Sequence, residues 1–201
     1  MSLIIVDGVS ASGKSIALKN IQKNLINNTP NFSKLIITEH LTERFFEDKL
    51  ISKKKVLKHV DTILKNISNF TKIRLNSRFK DKSDVLTIYV ERLILTFYSR
   101  GLIDSLSIDT LSPLLQELES KHYLLVIPND NFRDRIESTL IYRNKFWKDY
   151  VSSLGGVNGA INYFKEQQDR MIEGSILLSK HIPAKIISID DVESDFYNQI
   201  K

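Results

Sequence analysis

Near its amino terminus the chain passes from an apolar run, Leu3-Ile-Ile-Val6, through Gly8-Val-Ser-Ala-Ser-Gly13-Lys14-Ser15 directly into the helical pattern of Ile16, Ala17 and Leu18. Strand, glycine-framed loop and helix in that order point to a fold in which backbone N–H groups wrap a phosphate at the positive end of a helix. The spacing G-x-x-x-x-G-K-[ST] arises in roughly one random chain of this length in a hundred, and the flanking strand and helix make it rarer still. Gly8 and Gly13 let the backbone approach a β-phosphate, while Val9 and the small Ser10, Ala11 and Ser12 complete a loop whose amides point inward. Lys14 is expected to reach the β- and γ-phosphates, Ser15 to offer its hydroxyl to Mg²⁺, and Ile16 to follow on the first helical turn. The expected ligands of this loop are ATP and Mg²⁺.

Four further β-rich runs follow, Lys34-Leu-Ile-Ile-Thr-Glu39, Val85-Leu-Thr-Ile-Tyr-Val90, Tyr123-Leu-Leu-Val-Ile127 and Ala184-Lys-Ile-Ile-Ser-Ile189. They are near-continuous in apolar residues, the pattern of strands covered on both faces. Helical patterns lie between them, over Lys14 to Asn27, about Leu41 to Arg78 with breaks, Arg92 to Leu118, Asn131 to Leu154, and Ala160 to about Lys180. Such alternation predicts a three-layer, doubly wound α/β fold with a five-stranded parallel sheet and helices on both faces. The 201 residues form one domain in this reading, with a lid over about 129–159.

Composition narrows the function by exclusion. With 42% hydrophobic and 26% charged residues the balance is that of a globular chain, and no run reaches the length of a membrane span or a signal-peptide core. A soluble, cytoplasmic protein is therefore expected. The absence of cysteine removes disulfides, a thiol nucleophile and thiolate zinc sites. The net charge of +5 suits a polyanionic ligand without selecting nucleic acid over nucleotide. His40, His59, His122 and His181 lack metal-ligand spacing, and no Gly-x-Ser-x-Gly elbow is present. There is also no Asn-Lys-x-Asp guanine-reading motif. The one acidic pair after an apolar strand, Asp190-Asp191, stands too near the end of the chain for a motor-type ATPase core.

At the end of the third strand comes Tyr89-Val90-Glu91-Arg92, an acid and a base on the edge where doubly wound sheets bind ligands. With the loop Asp7 to Ser15, this pair resembles the thymidylate kinase and deoxynucleoside kinase superfamily. The resemblance implies that Glu91 holds Mg²⁺ or accepts a proton, and that Arg92 contacts the acceptor's 5′ oxygen or phosphate. Phe70-Thr-Lys-Ile-Arg74 matches the Phe-x-x-x-Arg spacing with which thymidylate kinases stack and hydrogen-bond the base, since i and i+4 share a helix face. An ordinary core role for Phe70 is the competing reading. Glu39 stands where deoxynucleoside kinases carry a general base, although Thr38-Glu39-His40-Leu41 lacks the proline of the family patterns. By resemblance a homodimer is also expected.

Phosphoryl transfer needs positive charge over the moving group, and the superfamily places an arginine-bearing lid after the fourth strand. Here that segment holds Arg133, Arg135 and Arg143. On one continuous helix Phe132, Ile136, Leu140, Trp147, Val151 and Leu154 form an apolar stripe that includes Arg143. If the helix breaks, Arg133 and Arg135 become equal candidates, and surface ion pairs with Glu137 or Asp149 are the alternative for all three. Gly155, Gly156 and Gly159 are expected to end the lid helix or let it pivot. The expected activity is transfer of the γ-phosphoryl of ATP to a nucleoside or nucleoside monophosphate, thymidine type first. A kinase for another small alcohol or metabolite and a regulatory or nucleic-acid-associated ATPase are the alternatives, the latter weakened by the lack of a dense basic stripe.

Overall fold

In β1 (Ser2–Asp7) Leu3 and Ile5 join the core on one side of the sheet and Ile4 and Val6 the core on the other, none more than 1% exposed. Period-two alternation with both faces apolar places this strand at the centre of a covered sheet. The computed structural model describes residues 2–28, 31–46, 51–76, 84–118, 121–128 and 132–188. Its remaining strands are β2 (Asn31–Ile37), β3 (Asp84–Glu91), β4 (Lys121–Ile127) and β5 (Ala184–Ser188). The order across the sheet is β2-β3-β1-β4-β5, and every neighbouring pair is parallel, as the alternating sequence pattern predicts.

Helices cover both faces. On one, α1 (Lys14–Asn28) sets Ala17, Leu18 and Ile21 against Ile4, Val6, Tyr89, Leu124 and Val126. The other carries the larger core, where Val56, Val60, Leu64 and Ile67 of α2 (Lys53–Asn76) and Ile94, Leu95 and Phe97 of α3 (Ile94–Ser99) meet Leu3, Ile5, Ile88 and Val90. The same core takes in α4 (Ser105–Glu117), α5 (Phe132–Tyr142), α6 (Lys145–Ser153) and α7 (Gly156–Leu178). Among the described residues no helix is long and apolar enough to cross a membrane.

Capping side chains divide two helical stretches that periodicity alone reads as continuous. Asp104 accepts from the Ser107 N–H at 2.9 Å and starts α4 after a turn through Gly101, separating it from α3. Asn144 accepts from the Trp147 N–H at 3.2 Å and starts α6, separating it from α5. The apolar stripe survives in Phe132, Ile136, Trp147 and Val151, all buried, but Arg143 falls at the break instead of on the stripe. Pro113 lies inside α4 and removes the bond its N–H would have made to the Asp109 carbonyl. Gly159 is required by packing, because a Cβ there would sit 1.8 Å from the Leu154 carbonyl oxygen and the α6–α7 turn could not close.

The histidines hold one arrangement that spacing does not reveal. His181, in the turn before β5, takes Ser112 on Nδ1 at 2.9 Å and Asp109 on Nε2 at 3.0 Å. Ser112 is buried on α4, and its oxygen also accepts from the Gln116 amide at 3.2 Å. This trio fastens α4 to the approach of β5.

Candidate functional site

The carboxyl end of β1 runs into the glycine-framed loop. Gly8 has φ 151°, and a Cβ there would lie 2.5 Å from the Val126 carbonyl oxygen and 2.7 Å from Ser12 Oγ, so only glycine fits. Gly13 has φ 96°, and the loop closes with Ser12 N–H donating to the Val9 carbonyl at 3.2 Å. Among the described residues only two non-glycine positions have positive φ, Ala11 at 64° and Arg92 at 52°. Both lie at this site, where local strain is held by the surrounding structure.

Lys14 folds back over the loop, its ammonium donating to the Gly8 carbonyl at 2.7 Å and the Val9 carbonyl at 2.8 Å. Burial holds its pKa well below the ordinary lysine value, and the nearby Arg92 guanidinium pushes the same way against the carboxylates of Asp7, Glu39 and Glu91. Ser12 Oγ is buried and has no hydrogen-bond partner among the described residues. A glycine-only cradle, an orphaned buried hydroxyl, a lysine holding loop carbonyls and the N-terminus of a fifteen-residue helix together fit a phosphate chain. Ser15 and Ile16 are exposed on the first turn of α1. Among the described residues no group of three or more carboxylate, histidine or cysteine side chains could enclose a metal ion. Magnesium bound with a nucleotide needs only one or two protein oxygens beside the phosphates, and Ser15 and Glu91 are of the right type.

Asp7 is the charge hidden in the first strand. It is fully buried, and its Oδ2 accepts from the backbone N–H groups of Leu93 at 3.3 Å and Leu95 at 3.2 Å. The hydroxyls of Thr96 and Tyr123 also donate to it. Tyr123 in turn accepts from the N–H groups of Ile94 and Leu95, both at 3.0 Å. Burial and then Asp7 push the Tyr123 hydroxyl well above the ordinary tyrosine value. Asp7 thus locks the turn after β3 against β1 and thereby positions Glu91 and Arg92.

Arg92 is the centre of a charge cluster beside the loop. Its backbone N–H donates to the Val6 carbonyl at 3.0 Å, and its guanidinium splits three ways. Nη2 donates to Ser10 Oγ of the phosphate loop at 3.2 Å, Nε lies 3.0 Å from Glu39 Oε2, and Nη1 pairs with Glu43. Glu39 also takes Arg44 at 2.7 Å, and Glu43, 5% exposed, also takes Arg100. The result is one run of alternating charge, Arg44, Glu39, Arg92, Glu43, Arg100, beside the donor loop. Thr42 donates to the Glu91 carbonyl at 2.6 Å and ties the loop after β2 to the end of β3. Glu39 stands in that loop, two residues beyond the last residue of β2.

The structure brings Glu39, Glu91, Arg92 and the phosphate loop together but not every expected residue joins them. Phe70 lies between Ser68 and Lys72 on α2, and both of those reach Glu117 at 3.5 Å. Glu117 ends α4, shortly before β4 begins at the edge of the sheet opposite the phosphate loop. At the other end of α2, Lys53 reaches Asp104 at 3.6 Å, and His59 binds the Leu41 carbonyl at 2.8 Å and stacks on Phe45. Phe70, 45% exposed, is therefore neither core nor beside the loop. The Phe-x-x-x-Arg reading is corrected on that ground, because any amphipathic helix supplies this spacing. Arg74 shares that distal end in its backbone, and its side chain lies outside the described residues.

In the expected lid, Arg133 turns outward and pairs with Glu137 at 3.3 Å and with the Asn158 side chain. Arg135 is half-buried on α5. Arg143 stacks 4.5 Å over the Trp147 ring, which itself lies parallel to Phe164. Desolvation lowers Arg143 from the ordinary arginine value, Arg92 and Arg44 add to this, and Glu39 opposes it. Glu43, Arg44 and Arg100 escape a reading of the sequence because nothing local marks them; the lone charge closing an apolar strand was the available signal for Asp7.

No protein-family model matches the chain, and no curated protein matches it. Among solved structures it is similar to thymidylate kinase from Ehrlichia chaffeensis, at 14% identity and a TM-score of 0.49, over 99% of this chain and 93% of that one. It is also similar to deoxyadenosine kinase from M. mycoides with bound dATP, at 18% identity and a TM-score of 0.42, over 100% of this chain and 95% of that one.

Proposed function

We propose that the chain transfers the γ-phosphoryl of ATP to the 5′-hydroxyl of a nucleoside. The observation that carries this reading is Arg92, which joins Ser10 of the phosphate loop to Glu39 and Glu43. Mg²⁺-ATP bound there would be held by the loop amides, Lys14, Ser15 and Glu91, and would supply the phosphoryl group with the metal neutralising charge on its oxygens. The remaining work falls to this chain's own side chains. Arg92 fixes Glu39 beside the loop, and Glu39 accepts the proton from the acceptor hydroxyl as the oxygen attacks. Lys14 leaves the Gly8 and Val9 carbonyls for phosphate oxygens, and Arg143, carried on a segment that acts as a lid, adds positive charge over the transfer. Closure of that segment excludes water, whose attack is the competing reaction.

The cage favours a nucleoside over a nucleoside monophosphate. Arg92 faces two carboxylates, Glu39 at 3.0 Å from Nε and Glu43 at Nη1, so a dianionic acceptor would meet both negative charges. A neutral hydroxyl needs only the base. The position of Phe70 removes the residue-level reason for preferring thymidine.

The test is ADP release from Mg²⁺-ATP against a panel of nucleosides and their 5′-monophosphates, with Lys14→Ala as control. A nucleoside should stimulate turnover more than its own monophosphate. Retained ATP binding with no stimulation by any acceptor, or stimulation by DNA or RNA alone, overturns the reading.

A further inference from the structure

Behind the charge cage a second polar space opens between α3 and α7. Ser99, Arg100, Tyr163, Glu166, Gln167 and Arg170 line a cavity of about 240 Å³. It lies one carboxylate away from the site, since Glu43 pairs with Arg92 through one oxygen and with Arg100 through the other. Its wall reaches the segment after β4 as well, because the Tyr163 and Tyr150 rings both pack on Phe164. Burial pushes Tyr150 up to about 12, Tyr163 adds to this, and the charges of Arg100 and Arg92 act against it.

We propose that this cavity holds the base of the acceptor, and that Arg100, Tyr163 and Gln167 read its hydrogen-bonding edge. The proposal rests on the nucleoside kinase reading above. The Gln167 amide donates to the Tyr163 hydroxyl at 2.7 Å, which orients the side chain and leaves its carbonyl oxygen as an acceptor. The Arg100 Nη2 is held by Glu43, and a guanidinium has five N–H groups to distribute. The cavity thus combines a fixed donor with a fixed acceptor, the complement of a heterocyclic base that presents acceptor and donor side by side. Arg170, paired with Glu166 at 2.7 Å and reaching the Ser99 carbonyl at 3.4 Å, closes the outer rim. The volume is smaller than the roughly 300 Å³ at which sites for whole drug-sized ligands begin, which suits one ring system while the sugar stays at the cage. Because Glu43 touches both guanidiniums, a base in the cavity and a hydroxyl at Glu39 are positioned by the same charge run.

The experiment is steady-state kinetics of Gln167→Leu and Tyr163→Phe against several nucleosides with one sugar, alongside a methyl riboside that has no base. Each variant should raise the KM for the preferred nucleoside about tenfold, the effect of losing one hydrogen bond to the ligand, with kcat within about twofold. The ranking of bases should flatten, and the methyl riboside should react equally with variant and parent. Unchanged KM and ranking in both variants, or an equal loss toward the methyl riboside, overturns the cavity assignment while the kinase reading stands. If the parent enzyme phosphorylates no nucleoside and no monophosphate, the kinase reading fails and this assignment falls with it.

Discussion

Arg92 Nε and Glu39 Oε2 lie 3.0 Å apart beside the phosphate loop, with Arg92 held at φ 52° and only 13% of its side chain exposed. A left-handed arginine at the end of a buried strand persists only where several contacts fix it, and here these are Ser10, Glu39, Glu43 and the Val6 carbonyl. Replacing Glu39 with Gln should lower kcat about 100-fold or more while ATP binding is retained, because the proton acceptor is lost and the donor loop is intact. Nucleotide titration and acceptor-dependent turnover of the same preparation check this.

Lys14 gives a prediction on pH. Its folded pKa lies below the ordinary 10.5, so between the two values the unfolded chain binds the proton that the folded chain lacks. Stability from this group therefore rises with pH across that window. Phosphate oxygens bound at Lys14 should restore its charge, so nucleotide binding should take up protons in the same range. Calorimetric titration in two buffers of different ionisation enthalpy measures that uptake, and its absence would show Lys14 already charged.

Glu43 is a stability determinant. Glu43→Ala leaves Arg92 and Arg100 facing each other without their shared carboxylate and should cost about 2 kcal/mol. This is below the cost for a fully buried pair because the Arg100 side chain remains 38% exposed. A shift in urea midpoint with unchanged slope is the expected signature.

Tyr123→Phe should destabilise by about 1–2 kcal/mol, since the N–H groups of Ile94 and Leu95 lose an acceptor and Asp7 loses a donor. The acceptor KM should also rise, because the turn that places Arg92 is held by Asp7. Denaturant unfolding and KM measured together separate this from a purely local effect.

Phe70→Ala and Arg133→Ala should leave acceptor KM and kcat within about twofold, as expected for exposed positions remote from the site or paired at the surface. Arg143→Ala should lower kcat at least about tenfold by removing positive charge near the cage. A fall in kcat for Arg133→Ala equal to that for Arg143→Ala would reverse the assignment of the two arginines.

The strands, the layer order and the donor loop were legible in the sequence because their causes are local. A buried parallel strand must be apolar throughout, and a phosphate loop must place glycine, lysine and serine at fixed neighbouring positions. The helix breaks at Asp104 and Asn144 were written in capping residues that apolar periodicity overlooks. The charge cluster beside that loop was decided only by the tertiary structure. Glu39 and Glu43 follow β2, Arg92 and Arg100 follow β3 some fifty residues on, and the four meet because the parallel pairing of β2 with β3 brings the loops after both strands to one edge. Phe70 and Arg74 have the right spacing, but a helix spacing fixes a face and leaves open which end of the sheet that face lies beside. Charge pairing across separate loops depends on distances of a few ångströms, which no residue pattern along one segment encodes.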